Sequence, residues 1–177
     1  MTLALILDTD GALYSPDFRA TERLFAQLMQ VAGRAGRADK PGRVLIQTAF
    51  PDHPLFRYLQ RHDYAGYARA LLAERKQLDL PPYTRQVLLR AEASTMEAAL
   101  AFLHRAGEAA PAMPEVAVFA PTPATMARLA NLERAQLLVQ SASRQALQAF
   151  VRAWRPGLDA IKPRVARWSL DIDPLMP

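Results

Sequence analysis

The chain has 177 residues, enough for one domain or two small ones, and its 51% hydrophobic and 22% charged residues are typical of a globular protein. It contains no run of about 20 apolar residues that would span a membrane, and its N-terminus lacks the pattern of a signal peptide. Because there is no cysteine, disulfide bonds and thiolate metal ligands are excluded. Absent cysteine is also compatible with secretion, so a cytoplasmic location is the default expectation, and we expect no membrane partner.

The net charge of +5 comes mainly from arginine, since Lys40, Lys76 and Lys162 are the only lysines among 22 basic residues. The guanidinium group pairs well with phosphate and carboxylate groups. Nucleic acid or a nucleotide is therefore a compatible partner. A genome rich in G and C would favour arginine codons without any such partner, so the composition leaves both explanations open.

The first part of the chain alternates strand and helix. Residues 3–8 are a continuous apolar run, which predicts a strand buried on both faces, and a loop follows. From Thr21 to about Val31 the apolar residues recur at helical spacing. A second strand is predicted at 43–50, and one or two helices at 51–78. This order indicates a parallel α/β unit that is too small to form a self-sufficient sheet.

A domain boundary is predicted at residues 79–84, "DLPPYT", because two adjacent prolines end a helix and stiffen the chain. Beyond it, Trp154 and Trp168 are expected to lie in a core, with a platform for base stacking as the alternative. The order of predicted elements is βαββαβ, the split βαβ arrangement of ferredoxin-like domains. The predicted elements are a strand at 85–92, a helix at 94–110, a strand at 115–121, a connection at 121–132, a strand at 133–142, a helix at 143–154 and a strand at 164–174.

Asp8 and Asp10 follow the first predicted strand at the spacing of the nucleophile and general acid of haloacid-dehalogenase phosphatases, which hold Mg²⁺ between them. Such enzymes also need a Ser or Thr at the end of a second strand, a lysine and a later acidic pair. Asp171 and Asp173 are the only later close pair, in what is predicted to be a different domain. We therefore expect structural roles for Asp8 and Asp10, with a phosphatase as the alternative.

The segment "QVAGRAGR", Gln30 to Arg37, is more specific. If it is helical, Arg34 and Arg37 share one face, and each is next to a glycine that permits close backbone approach. Such a pair can hold the terminal phosphates of a nucleotide and stabilise charge on a transferred phosphoryl group. The alternative is an arginine-rich helix end that faces the negative end of the helix dipole.

This segment matches the Q-x-x-G-R-x-G-R motif VI of superfamily 2 helicases. With its surroundings, it resembles the primosomal protein N′ (PriA) family of replication-restart DNA helicases over essentially the whole chain. The resemblance implies the C-terminal part of a second RecA-like lobe at 1–78 and an α+β, ferredoxin-like domain similar to ribosomal protein S10 at 79–177. The other segments that carry it are "DTDGALYSPDFRATERLFAQLM", "GRVLIQT", "HPLFRYL", "ERKQLDLPPYT", "RAQLLVQSASRQALQAF" and "WSLDIDP".

The resemblance implies that Gln30, Arg34 and Arg37 face ATP held by a motor lobe outside these 177 residues. The G-x-x-x-x-G-K-[ST] phosphate loop and the zinc-binding cysteine cluster of the family are also missing. The full-length family uses ATP, Mg²⁺ and zinc. We expect this chain to bind no cofactor by itself, to be catalytically incomplete and to self-associate through its truncated lobe.

The resemblance also implies partners for residues 79–177: forked or single-stranded DNA, the acidic C-terminal tail of single-stranded-DNA-binding protein, and other primosome proteins. Arg144 and Gln148, four apart on one predicted helix face, match the family's residues for that tail, and a guanidinium group suits a carboxylate. For Arg144 and Gln148 the alternative is an ordinary solvated helix face. For the domain as a whole, the alternative is a protein-interaction module without DNA binding.

A basic surface for DNA is expected from arginines in the second half of the chain: Arg128, Arg134, Arg164 and Arg167. Many members of the family carry a basic and aromatic stretch before the second helix of this domain. Here Leu132, Glu133 and Ala135 replace one basic and two aromatic residues. Each stacking aromatic contributes about 1–3 kcal/mol to single-strand binding, so the sequence predicts weakened DNA contact at this stretch.

Overall fold

The computed structural model describes residues 2–35, 42–161 and 167–174, and the chain divides into two compact units, Met1–Glu74 and Arg75–Pro177. The protein is a mixed α/β protein, as the sequence predicts. In the described parts of the chain, no helix is long and apolar enough to span a membrane. The elements in chain order are β1 (Thr2–Ile6), α1 (Asp10–Leu13), α2 (Ala20–Ala35), β2 (Gly42–Ile46), α3 (Pro54–Gln60), α4 (Tyr64–Gln77), β3 (Arg85–Ala93), α5 (Met96–Glu108), β4 (Ala117–Val118), β5 (Thr122–Leu129), β6 (Leu132–Ser141), α6 (Arg144–Ala160) and β7 (Arg167–Ile172).

In the first unit, β1 and β2 pair in parallel, with Thr2 opposite Gly42 and each following residue in register. The parallel pairing agrees with the predicted order of elements. The core forms where α2 packs against α3 and α4, and the ring of Phe25 stacks on that of Tyr67 with centroids 4.1 Å apart. Leu55 of α3 is fully buried in this core. The helix predicted to end near Val31 continues through Ala35, and the predicted loop after β1 contains the short helix α1.

The prediction that residues 3–8 are buried on both faces is wrong. Leu3 and Leu5 are about 60% exposed, and Leu45, which lies opposite Leu5 in β2, is 48% exposed. Strand side chains alternate between the two faces of a sheet, and within the described residues only the face that carries Ile6 and Ile46 packs against the core. A continuous apolar run indicates that a strand can be buried on both faces, but burial also requires a second layer of structure.

In the second unit, the strands follow the order β4-β6-β3-β7, and β5 also pairs with β6. Every pairing is antiparallel, and β3 lies between β6 and β7. Helices α5 and α6 supply the side chains that cover one face of this sheet, including Phe102 and Phe150. Trp154 is completely buried and donates a hydrogen bond from its indole Nε1–H to the carbonyl oxygen of Ala106, at 2.8 Å. Trp168 packs against the margin of the same core.

The second unit has one strand more than the predicted βαββαβ order. The segment predicted as a connection contains β5, which forms a hairpin with β6 and places Leu129 opposite Leu132. The two residues between them, Ala130 and Asn131, have φ angles of 49° and 63°. Positive φ at both central residues is typical of two-residue hairpin turns, whose usual sequence signal is Asn-Gly or Asp-Gly. The sequence lacks that signal, which is why the hairpin was not predicted.

We predict that Trp154→Phe lowers the free energy of unfolding of the second unit by about 2–4 kcal/mol, because the change leaves a cavity and the Ala106 carbonyl without its donor. Both tryptophans belong to this unit, so tryptophan fluorescence during urea unfolding of the full chain reports on it alone. The matched control is Trp168→Phe at the margin of the core, with an expected loss of about 1 kcal/mol or less. Equal losses in the two variants would contradict the role of Trp154.

Candidate functional site

Asp10 connects the ends of the two parallel strands. One oxygen of its carboxylate accepts a hydrogen bond from the Thr48 hydroxyl, and the other accepts one from the backbone N–H of Ala49 at 2.9 Å. These two hydrogen bonds, first that of Thr48, hold the pKa of Asp10 below its usual value. These contacts agree with the structural role expected for Asp10. Thr48 provides the hydroxyl that a phosphatase would need, but Asp171 and Asp173 belong to the second unit.

Gln30 and Arg34 lie on the exposed surface of α2, four residues apart and therefore on one side of the helix. Arg34 is in the last turn of α2, and none of the ion pairs among the described residues includes it. Arg37 lies outside the described residues. A Cβ atom added to Gly33 would meet no atom within 4 Å. Packing in the described chain therefore gives no reason for a glycine beside Arg34.

Arg144 and Gln148 are exposed on the first turns of α6, where the Ser143 hydroxyl caps the helix by accepting a hydrogen bond from Ala146 N–H at 3.2 Å. Both side chains line a small groove of about 40 Å³ between α6 and the ends of β3 and β7. Arg85, from the start of β3, lines the same groove. The remaining lining residues are Val87, Leu147, Val151, Ile172 and Asp173.

Neither Arg85 nor Arg144 forms an ion pair with another residue of the described ranges. Asp173 also lines the groove, but none of the ion pairs among the described residues joins its carboxylate to either guanidinium group. The groove therefore presents two positive charges, one amide and one negative charge to solvent. This arrangement suits an anionic ligand group, since each guanidinium group keeps donors available for a carboxylate.

Arg134 and Arg167 meet on the opposite face of the same sheet, on either side of Glu92 of β3. Register places Arg134 of β6 and Arg167 of β7 directly across from Glu92. The Nε of Arg134 is 3.1 Å from one oxygen of Glu92, and the Nε–H of Arg167 donates a hydrogen bond to the other. Since Glu92 is buried and Arg167 exposed, the three charges form a partly shielded cluster with a net charge of +1.

The hydrogen bond from Arg167, followed by the positive charges of Arg167 and Arg134, holds the pKa of Glu92 below its usual value. The same hydrogen bond raises the pKa of Arg167. A second pair, Arg90 with Asp171 at 2.8 Å, lies on the same strands. Much of the basic charge on this sheet face is therefore already compensated by carboxylates of the chain itself.

The other residues expected on a DNA surface have different positions. Arg128 is exposed on the β5–β6 hairpin, and its Nε lies 3.7 Å from the Glu133 carboxylate. Arg164 lies outside the described residues. Ala135 is completely buried in the core of the second unit. An aromatic side chain at position 135 would therefore point into that core, and its replacement by Ala135 does not remove a solvent-facing stacking residue.

Two residues of these surfaces, Arg85 and Glu92, were not predicted from the sequence. The alternation in β3 indicates that Arg85 shares a face with the apolar residues Val87 and Leu89 and that Glu92 lies on the other face. That signal shows the face on which each residue lies but not its neighbours. The partners of β3 come from residues 132–141 and 167–172, so the contacts depend on strand register.

Comparison with known proteins gives a consistent result. Residues 76–175 match the family described as primosomal protein N C-terminal domain. The chain is 39% identical to the replication restart protein PriA of Haemophilus influenzae over 98% of this chain and 24% of that relative. The corresponding protein of Synechocystis is 35% identical over 99% of this chain and 21% of its own length. That of Rickettsia conorii is 34% identical over 98% of this chain and 26% of its own length. The chain thus spans about a quarter of the length of these relatives.

We predict that Glu92→Gln lowers the free energy of unfolding of the second unit at pH 7 by about 1–2 kcal/mol, because two arginines lose their counter-charge and exposure of Arg167 limits the effect. The pKa of Glu92 is depressed in the folded state. Its stabilisation is therefore complete above about pH 5 and is lost as the pH falls through the folded pKa. Urea unfolding followed by tryptophan fluorescence should show the difference shrinking toward pH 3. The exposed Glu115→Gln is the control, and a difference that persists unchanged at pH 3 would contradict this role.

Proposed function

Because this chain belongs to the primosomal protein N C-terminal domain family, we propose that it acts in replication restart as the C-terminal part of an ATP-dependent 3′–5′ DNA helicase that also takes part in primosome assembly. The family predicted from the sequence is confirmed. The proposed role of this part is to bring the helicase to its partners on DNA. The groove that contains Arg144 and Gln148 is the observation that carries the proposal.

The architecture supports this assignment. We propose that the second unit is a ferredoxin-like domain, since an antiparallel sheet in the order β4-β6-β3-β7 with two helices on one face is the arrangement expected for βαββαβ connectivity. The β5 strand extends the hairpin that leads into β6. The first unit, with parallel β1 and β2 and the helices that follow them, is proposed to be part of a RecA-like motor lobe.

The principal proposed partner is the acidic C-terminal tail of single-stranded-DNA-binding protein. Arg144 supplies a guanidinium group that is not engaged by another described residue, and Gln148 supplies an amide donor one helical turn away. A charge-assisted hydrogen bond from arginine to a carboxylate is among the stronger polar contacts that a surface provides. The shape and charge of this groove support peptide recognition more specifically than the arginine cluster on the opposite face supports DNA binding.

DNA is the second proposed partner, forked or single-stranded. Arg128 and Arg167 are both exposed, with about 70% of each side chain accessible. Because Glu92 neutralises part of the charge on Arg134 and Arg167, the contact with phosphates is expected to be weak and strongly dependent on salt. Other primosome proteins remain proposed partners of the family without an assigned surface on this chain.

For the first unit we propose the motif VI role. In this proposal Gln30 and Arg34, which lie on one exposed side of α2, act on the phosphates of ATP bound by another lobe of the longer helicase. The absence of a packing reason for Gly33 supports close approach by a group from outside the described chain. ATP, Mg²⁺ and zinc would all be held by other parts of the longer protein, and by itself this chain is proposed not to hydrolyse ATP.

We predict that a fluorescent acidic peptide with a free C-terminus binds the full chain and that Arg144→Ala weakens the affinity by about tenfold, because a hydrogen bond to a charged group is lost. Fluorescence anisotropy gives the dissociation constants. Arg152→Ala, an exposed arginine of α6 outside the groove, is the matched control. Equal affinity of the wild type and Arg144→Ala would exclude the groove as the peptide site.

We predict that the full chain binds a single-stranded oligonucleotide at low salt and that log Kd rises linearly with log salt concentration. The slope of this line reports the number of phosphate contacts. Arg128→Ala and Arg167→Ala should each lower that slope by about 1, because each removes one exposed positive charge. Arg105→Ala, on the exposed surface of α5, is the control. If no binding occurs at low salt, the protein-interaction module without DNA binding is the correct alternative.

A further inference from the structure

The groove beside α6 contains a second arginine, Arg85, to which the resemblance to the helicase family gives no role. Arg85 is the first residue of β3 and lies opposite Ser141 of β6. Because side chains alternate along a strand, Arg85 is on the same side of the sheet as Val87, the side that α6 covers. The chain thus brings together two arginines 59 positions apart, Arg85 from the sheet and Arg144 from the helix, at one groove.

The groove is small and open to solvent. Its volume is about 40 Å³, and Arg85 and Arg144 both line it. A carboxylate group, the small anionic end of an acidic ligand, is therefore the part that would enter the groove while the rest of the ligand stays in solvent. The apolar walls formed by Leu147 and Val151 reduce solvent access on one side, which strengthens the attraction between a carboxylate and the two guanidinium groups.

We propose that Arg85 is a second cationic ligand-binding residue of this groove and that it binds, together with Arg144, one carboxylate of an acidic peptide. This inference rests on the proposed peptide-binding function of the groove. Arg85 is half-buried whereas Arg144 is exposed. Arg85 is therefore the less mobile of the two carboxylate-binding arginines, and Arg144 is the one that first meets the peptide from solvent. Asp173, on the same groove, opposes binding of the anion and makes its affinity depend on the balance of the three charges.

The test uses the full chain and the acidic peptide with a free C-terminus, with dissociation constants from fluorescence anisotropy for four proteins: the wild type, Arg85→Ala, Arg144→Ala and the double variant. We expect Arg85→Ala to weaken binding about five- to tenfold. The double variant should lose less than the product of the two single losses, because both arginines act on one group. Arg85→Lys should restore only part of the affinity, since it keeps the charge but not the planar fork.

A variant that is expected to increase the affinity for the peptide completes the experiment. Asp173 has a φ of 53°, a conformation that asparagine tolerates well, so Asp173→Asn removes the charge without strain. We expect it to tighten peptide binding two- to threefold, and weaker binding would mean that the groove prefers a cationic group, which overturns the proposal. Unchanged urea unfolding by tryptophan fluorescence establishes that each variant is folded.

The outcomes separate the two proposals. If Arg144→Ala weakens binding but Arg85→Ala does not, the role of Arg85 is wrong and the peptide-binding function stands. If neither variant differs from the wild type, the peptide-binding function fails as well. If the two losses multiply exactly, the arginines act on separate groups, and the shared carboxylate is excluded.

Discussion

The antiparallel pairing of β3 with both neighbours is the constraint on which the second unit depends. Nine residues of β3 pair with β6 on one side and six with β7 on the other. Its helix-facing residues Val87, Leu89, Ala91 and Ala93 are completely buried under α5 and α6. β3 is hydrogen-bonded along both edges and covered on one face, so it fixes the register of the neighbouring strands. That register aligns the side chains that are the functional candidates.

The two candidate surfaces of this unit lie at opposite ends of β3. Arg85 begins the strand and Glu92 lies near its end, which separates them by about 23 Å at the usual rise per residue. The physical states of their arginines differ. Arg85 and Arg144 have no carboxylate partner in the described chain, whereas Arg134 and Arg167 share Glu92. A ligand carboxylate at the first surface would meet two guanidinium groups that are not paired with a carboxylate of the described chain, while a phosphate at the second would compete with Glu92.

This difference between paired and unpaired arginines bears on whether the second unit binds DNA or protein. Electrostatic attraction of nucleic acid depends on the net charge presented over a surface, and internal ion pairs reduce that net charge without removing any arginine. Recognition of a carboxylate depends on donors in a particular place. The pattern of pairing is thus the physical reason for proposing peptide recognition at the α6 groove and only a weaker, salt-dependent contribution from the arginines of the sheet face.

The first unit shows a similar contrast for apolar side chains, which are covered on one face of the strand pair and exposed on the other. The face of the β1–β2 pair that carries Leu3, Leu5 and Leu45 is exposed, although the opposite face is part of a well-packed core. Asp10 holds the ends of the two strands together through Thr48 and Ala49. The pair of strands is thus organised locally, and Gln30 and Arg34 project from the adjoining helix.

The sequence by itself determined the class of the fold, the family, most of the helices and strands, and the spacing of Gln30 with Arg34 and of Arg144 with Gln148, because these are properties of local periodicity and of short motifs. Only the tertiary structure decided that Arg85 joins Arg144, that Glu92 neutralises Arg134 and Arg167, that Ala135 is buried, and that Leu3 and Leu5 are exposed. Each of these facts depends on which distant segment lies beside a residue. Strand register and the presence or absence of a covering layer decide that, and neither is encoded in the local pattern.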